Sequence, residues 1–181
     1  MEQTGARVSR EAKKLQSRRR ILAAARDVFF RDGFMLANLD EVATKAGVAK
    51  GTLYRYFKSK AAIFEAVRFA AFVRFADAQE TAARGIEDPV ARLCELGLAY
   101  VRFALEEPHS YRIMFELDPE ELARGPQEPE VRSWATMRAA VGDAVEAGAL
   151  DGDPDLLAHL CWAQVHGLVT LHLAGKLVLG Q

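Results

Sequence analysis

The sequence predicts an all-α protein: a three-helix head containing a helix-turn-helix, followed by a helical C-terminal body. Three observations predict it. Apolar residues recur at helical spacing almost throughout the 181 residues, and almost no stretch alternates as a half-buried strand does. One short segment, Leu39 to Phe57 (LDEVATKAGVAKGTLYRYF), holds two helix-length runs joined at a single glycine. The charge is also divided: the net value is −1, but residues 1–60 carry 14 Lys+Arg against six Asp+Glu, and the remainder is acidic by nine.

Each element follows from local signals. Ile21, Leu22, Ala25, Val28 and Phe29 form one face of a first helix, which should stop at Asp32-Gly33. Asn38 can cap a second helix, with Asp40 and Glu41 in the first turn where the helix dipole favours anions. Gly47 should end it, and a third short helix should cover 50–56. Ser59 is placed to cap a fourth helix, about Ser59 to Ala82, carrying Ile63, Phe64, Val67 and Ala71 inward. Asp88-Pro89 reads as a cap followed by a first-turn proline, opening a helix through Leu93, Leu96, Leu98 and Val101 that must end near Glu107, before Pro108. A shorter helix is expected from Tyr111 to Glu116, a linker over Ala123 to Glu130, a helix from Pro129 to Gly148, and a last helix from a cap at Asp153 to about Leu177. The expected units are a head at 16–76 and a body at 84–181.

Composition narrows the function classes. With 50% hydrophobic and 27% charged residues the chain suits a soluble globular protein. Cys94 and Cys161 lie far apart in apolar runs, which fits a reducing cytoplasm better than a disulfide framework. No segment reads as a signal peptide. The most apolar stretch, Leu156 to Leu179, includes His159, Gln164, His166, His172 and Lys176; a membrane span tolerates few such groups, so a helix covered by protein on nearly all sides is expected. Asp151, Asp153 and Asp155 alternate like a calcium loop, but Leu156 and Trp162 stand where that loop needs glycine and glutamate. His159 and His166 share a helix face without an obvious third ligand, so no metal and no cofactor is expected. There is no nucleophile elbow, phosphate-binding glycine loop or zinc triad, so an enzyme is not expected.

The segment around Gly47 carries the functional expectation. A tight helix-to-helix turn needs a residue tolerant of positive φ, and Ala43, four residues earlier, lets the helices cross closely. Val42, Ala46, Val48, Leu53 and Tyr56 then face inward. Asn38, Lys50, Gly51, Thr52, Tyr54, Arg55, Tyr56 and Lys60 become candidates for contact with double-stranded DNA, since the first turns of the second helix of such motifs enter the major groove. Thr52 can reach a base edge or a thymine methyl, and Arg55, Tyr56 and Lys58 have the reach for phosphates. Lys60 sits at a helix N-terminus, where the dipole disfavours a cation; a bound phosphate would account for it. A basic head on an acidic body fits a polyanion partner, although seven of the 14 basic residues precede Ile21 and read equally well as a solvated tail.

These residues resemble a known family. Ile21-Leu22, Ala24-Ala25, Phe29, Gly33-Phe34 and the run AGVAKGTLYRYFKSK from Ala46 to Lys60 are similar to the DNA-binding domain of the tetracycline-repressor (TetR) family, over about residues 16 to 76. Two positions depart: Ala37, where the family often has a hydroxyl residue, and Ala49, where it often has a capping Ser or Thr. The second departure removes one expected phosphate contact and about 1 kcal/mol of helix-end stability. More weakly, residues 100–115 and Trp162, Val165 and His166-Gly167 resemble a C-terminal domain type of that family with a Trp…His-Gly signature.

The resemblance implies a homodimer held by the last two helices, a palindromic operator and a small-molecule pocket in the body. Leu160, Gln164, Gly167, Leu168 and Leu171 are the candidate dimer face. Tyr100, Phe103, Tyr111, Met114, Phe115, Trp134, Met137 and Trp162 supply the body's large side chains; each alone reads as core, but together they can line a cavity for an apolar or aromatic effector. The fourth helix is the natural connector between pocket and head, with Phe72 and Phe75 positioned to feel Tyr111 or Phe115. Repression is the family's usual mode; activation and non-specific architectural DNA binding are the alternatives.

Overall fold

The structure is a computed structural model that describes residues 2–115 and 127–177, with side chains from residue 11 onward. The described residues form eight helices and no strand: α1 (Glu2–Leu36), α2 (Leu39–Ala46), α3 (Lys50–Tyr56), α4 (Lys60–Ala83), α5 (Pro89–Glu106), α6 (Pro108–Phe115), α7 (Glu128–Glu146) and α8 (Pro154–Leu173). The predicted caps form. Asn38 Oδ1 accepts from Asp40 N, Ser59 Oγ from Ala62 N, Asp88 Oδ1 from Ala91 N and Asp153 Oδ1 from Asp155 N.

Several boundaries differ from expectation. The basic stretch before Ile21 is an extension of α1; its Arg, Lys, Glu, Ala, Leu and Gln residues are strong helix formers. At Gly33 (φ 70°, ψ 170°) α1 kinks, and one further turn follows to Leu36. Helix α6 begins at Pro108, a turn earlier than expected, and Glu116 lies outside the described residues. Of the expected linker, 123–126 also lie outside them, whereas Glu128 to Glu130 are already helical behind Gln127. Helix α8 ends at Leu173, not Leu177, because Gly175 takes the left-handed conformation (φ 65°) and Lys176 N closes back onto Leu171 O at 2.8 Å.

The head packs α1, α2, α3 and the first turns of α4 around Ile21, Val28, Phe29, Val42, Leu53, Ile63 and Phe64, all fully buried. The body packs the rest of α4 with α5, α6 and α8 through Phe72, Phe75, Tyr100, Phe103 and Met114, while Met137, Val141 and Ala158 join α7 to α8. Two elements belong to both parts. Helix α4 gives Ile63, Phe64 and Val67 to the head and Ala71, Phe72 and Phe75 to the body. Helix α6 inserts Ile113 into the head core; its His109 stacks on Phe30 at 3.6 Å, and its Arg112 lies over the same ring at 5.6 Å.

Helix α8 corrects one expectation. In the single chain it is not covered on nearly all sides: only Ala158 and Val169 are fully buried, while Leu156, Leu160, Leu168, Leu171 and Leu173 are exposed. By length and composition alone α8 could cross a membrane, but His159, Gln164, His166 and His172 are distributed along it.

Candidate nucleic-acid interface and body cavity

The turn between α2 and α3 is built by glycine and an arginine. Gly47 is left-handed (φ 64°, ψ 43°), and Val48 N donates to Ala43 O at 3.0 Å, closing α2. The Arg20 guanidinium donates to the carbonyl of Ala46 and to that of Gly47, the latter at 3.1 Å, and it fills the space that a Cβ on Gly47 would need. Arg20 therefore ties α1 to the turn, and Arg18 lies over Phe57 at 5.3 Å. In sequence both belong to the same basic run as Lys13 and Lys14; only the tertiary fold separates them.

Helix α3 buries Leu53 and half-buries Thr52 and Tyr56, leaving Lys50, Gly51, Tyr54 and Arg55 exposed on one side. A Cβ on Gly51 would meet nothing within 4 Å, so this side is open to close approach by a ligand surface. Ala49 makes no side-chain cap, as its methyl requires. Asn38 is occupied as the α2 cap. Two cations are differently placed from their sequence reading. Lys50 pairs with Asp40 at 2.8 Å, and that hydrogen bond holds its ammonium above the usual lysine range. Lys60 donates to Met35 O at 2.9 Å and lies 5.3 Å from the Phe34 ring centroid; burial holds it below the usual range. The helix-dipole misfit at Lys60 is thus met within the chain, by a carbonyl of the last turn of α1.

Other cations stand together. Lys13, Lys14 and Ser17 of α1 line a groove with Arg55 and Tyr56 of α3. Among the described residues none of these three cations makes an ion pair. In contrast, Arg26 and Lys45 pair with Asp27, and Arg31 pairs with Asp32 and Glu41. Three unpaired cations of the head thus stand beside the exposed side of α3, an arrangement that suits a phosphate backbone.

The body holds a partly open cavity of about 420 Å³, within the range of small-molecule sites. Six of the eight residues singled out line it: Tyr100, Met114, Phe115, Trp134, Met137 and Trp162. Two do not. Phe103 is buried against Phe75, with ring centroids 5.2 Å apart. Tyr111 is buried beside the cavity, and its hydroxyl and that of Tyr100 reach His166 Nδ1 at 2.9 and 2.8 Å. Burial raises both phenols above their usual range and lowers His166 below its own, so the trio is neutral at pH 7. Also in the lining, and not singled out for it, are Arg68, Gln79, Glu130, Val131, Ser133 and His159; Phe72 and Phe75, expected nearby, are in the wall itself. The signal was present: 68, 72, 75 and 79 are spaced i, i+4, i+7, i+11, one face of α4. His159 and His166 do not converge, since His159 Nδ1 donates to Asp155 O at 2.7 Å and its ring packs on Trp134. On the opposite side of α8, Leu160, Gln164, Leu168 and Leu171 are exposed in one stripe around Gly167.

Fold and site together define a helix-turn-helix head on a helical body that holds a cavity. Residues 21–67 match the model of bacterial regulatory proteins of the tetR family, and residues 93–181 match the tetracyclin repressor-like C-terminal domain. The chain belongs to the tetR family of bacterial regulatory proteins. Among curated relatives it is 33% identical over 103 residues to the HTH-type transcriptional activator FasR of Mycolicibacterium smegmatis, covering 57% of this chain and 47% of FasR. It is 41% identical over 56 residues to the uncharacterized HTH-type regulator TtgW of Pseudomonas putida, covering 31% of this chain and 42% of TtgW. The chain therefore spans less than half the length of either relative. Among solved structures, FadR of Bacillus halodurans superposes with a TM-score of 0.77 at 22% identity, covering 88% of this chain and 85% of FadR. PfmR of Thermus thermophilus does so with 0.72 at 24%, covering 83% of each. At these identities the likeness is one of fold.

Proposed function

We propose that this protein is a dimeric, sequence-specific transcriptional repressor of the cytoplasm, released from a palindromic operator when a small, mainly apolar molecule fills the body cavity. One observation carries the coupling: α4 and α6 each touch the cavity and the head core at once. Phe72 and Phe75 line the cavity on the helix that buries Ile63 and Phe64 in the head, and Met114 and Phe115 line it next to Ile113, which is inside the head core. A ligand that shifts either helix by part of a turn displaces α3 relative to its dimer mate without unfolding anything. Gly51, Tyr54 and Arg55 supply the reading face, Lys13, Lys14 and Arg55 the phosphate contacts, and the stripe around Gly167 the dimer contact. Lys50 and Lys60 join only by exchanging Asp40 and Met35 O for phosphate.

The ligand must have different affinities for the DNA-fit and DNA-unfit forms; about 1–3 kcal/mol of coupling gives a roughly 5–150-fold loss of operator affinity. FasR is named an activator, and the same cavity and levers serve activation if the ligand favours the DNA-fit form. The test is reciprocal titration. The neutral fluorophore 1-aminoanthracene is bound to the protein with and without saturating operator, and operator is bound with and without the fluorophore. The reading expects both affinities to change by the same factor, weaker for a repressor and tighter for an activator. Equal affinities in both pairs overturn it.

A further inference from the structure

We infer that the body cavity selects an uncharged, ring-bearing molecule with one hydrogen-bond-accepting group, of the kind found in an aryl ketone, ester or amide, and discriminates against the corresponding carboxylate. This rests on the cavity being the effector site.

The cavity runs along α4. Arg68, Phe72, Phe75 and Gln79 lie on one face of that helix, so the lining extends about 16 Å from Arg68 to Gln79 at about 1.5 Å per residue. At the Arg68 end the charge is already matched. Arg68 is the lining's one arginine or lysine; it pairs with Glu130, both side chains being about 16% exposed, and its Nε donates to Met114 O at 3.1 Å. Its guanidinium also lies 5.3 Å from the Phe72 centroid. A ligand carboxylate drawn to Arg68 must displace Glu130 or sit beside it, and either leaves a carboxylate uncompensated in a poorly solvated place.

The Gln79 end is polar but neutral. Gln79 is 3% exposed and Ser133 8% exposed. Ser133 Oγ donates to Gln79 Oε1 at 2.5 Å, and the Gln79 Nε2 donors have no partner among the described residues. Gln79 lines the cavity, so a ligand carbonyl or ether oxygen can accept from these donors, whereas an apolar ligand group placed there would bury them without an acceptor. A carboxylate there would bury a full charge with no arginine or lysine of the lining at that end. Between the two ends the walls are rings. Phe72 meets Phe115 edge-on at 6.0 Å, Phe75 meets Tyr100 at 5.1 Å, and Trp134 meets Trp162 at 6.2 Å. Such walls favour a flat ring, which gains edge and face contacts at little conformational cost.

The test uses three probes on one naphthalene skeleton: 2-acetonaphthone, 2-ethylnaphthalene and 2-naphthoate. Each competes against 1-aminoanthracene on the full chain without DNA, with calorimetry of 2-acetonaphthone as a direct second measurement. The ketone is expected to bind at least about fivefold more tightly than either other probe. Gln79→Met keeps the side chain's length and removes its donor; it should bring the ketone to the level of 2-ethylnaphthalene while moving the latter less than about twofold. Naphthoate binding as tightly as the ketone, a ketone preference that survives Gln79→Met, or a ketone that fails to bind each overturns the inference. The wild-type comparison needs no variant, so a poorly folded Gln79→Met leaves it decisive. With DNA absent, these outcomes are separate from the regulatory reading: a ketone that binds as expected yet leaves operator affinity unchanged defeats that reading and not the ligand class.

Discussion

Lys60 and Tyr54, both expected at the DNA, are placed differently by the fold. Lys60 is spent on Met35 O and the Phe34 ring, whereas Tyr54 is 46% exposed and holds nothing in place. Tyr54→Ala should therefore leave the unfolding midpoint unchanged and weaken binding to the selected site by about 1–3 kcal/mol if it touches a base. Equal affinity of variant and wild type for that site would remove Tyr54 from the interface. Lys13→Gln with Lys14→Gln should weaken all sequences alike and flatten the salt dependence by up to about two phosphates' worth. An unchanged slope places the groove away from DNA. In the body, His166 supplies a pH dependence. Burial lowers its folded pKa from the ordinary value of 6.5, so its contribution is complete above that value and is lost as pH falls through the folded one. The substitution His166→Asn would present an amide oxygen near the Nδ1 position without titrating. In urea unfolding, the stability advantage of wild type over His166→Asn should shrink between about pH 7.5 and about pH 5; a constant gap contradicts this. The exposed side of α3 was legible because Gly47 fixes which side of that helix faces out. Arg20 and Arg18 were not, since nothing local distinguishes an arginine folded onto a carbonyl from its solvated neighbours.

The elements most legible in the sequence are those whose ends are set by their own residues. Helices α2 and α3 run as the Asn38 cap and the left-handed Gly47 dictate, and α5 as Asp88-Pro89 and Pro108 dictate. Gly47→Ala should then destabilise the head by about 1–2 kcal/mol for the left-handed backbone alone, with more from the displaced Arg20, measured by chemical unfolding; a change under about 0.5 kcal/mol contradicts the account of the turn. Legibility falls where a neighbour decides. The apolar pattern of α5 and α6 offers Tyr100, Phe103, Tyr111, Met114 and Phe115 alike to the cavity, but only Tyr100, Met114 and Phe115 line it. Such a pattern marks a buried face without saying whether the void or a packed helix lies against it. The same limit hid α6 as a link, because the burial of Ile113 in the head depends on how α1 and α6 meet.

At the scale of the whole molecule, the exposed stripe on α8 is the clearest demand for a second chain. A contiguous exposed apolar surface of this kind marks an interaction site, and Gly167 lies at its centre with open space where a Cβ would be. Gly167→Leu should accordingly leave each protomer folded, or slightly better so by helix propensity, while shifting sedimentation from dimer toward monomer. A variant that remains as dimeric as wild type at micromolar concentration would place the interface elsewhere. The charge division read from the sequence becomes, in three dimensions, a basic groove formed by α1 and α3, while the free apolar stripe belongs to α8. The central claim is that two such heads read one DNA site together. It is tested most directly by selecting DNA from a random pool with the purified protein and sequencing the survivors. Paired heads predict an inverted repeat whose half-sites lie about one helical turn, roughly 34–36 Å, apart or a multiple of that. Enrichment of no sequence, or of a single unrepeated half-site, would contradict it.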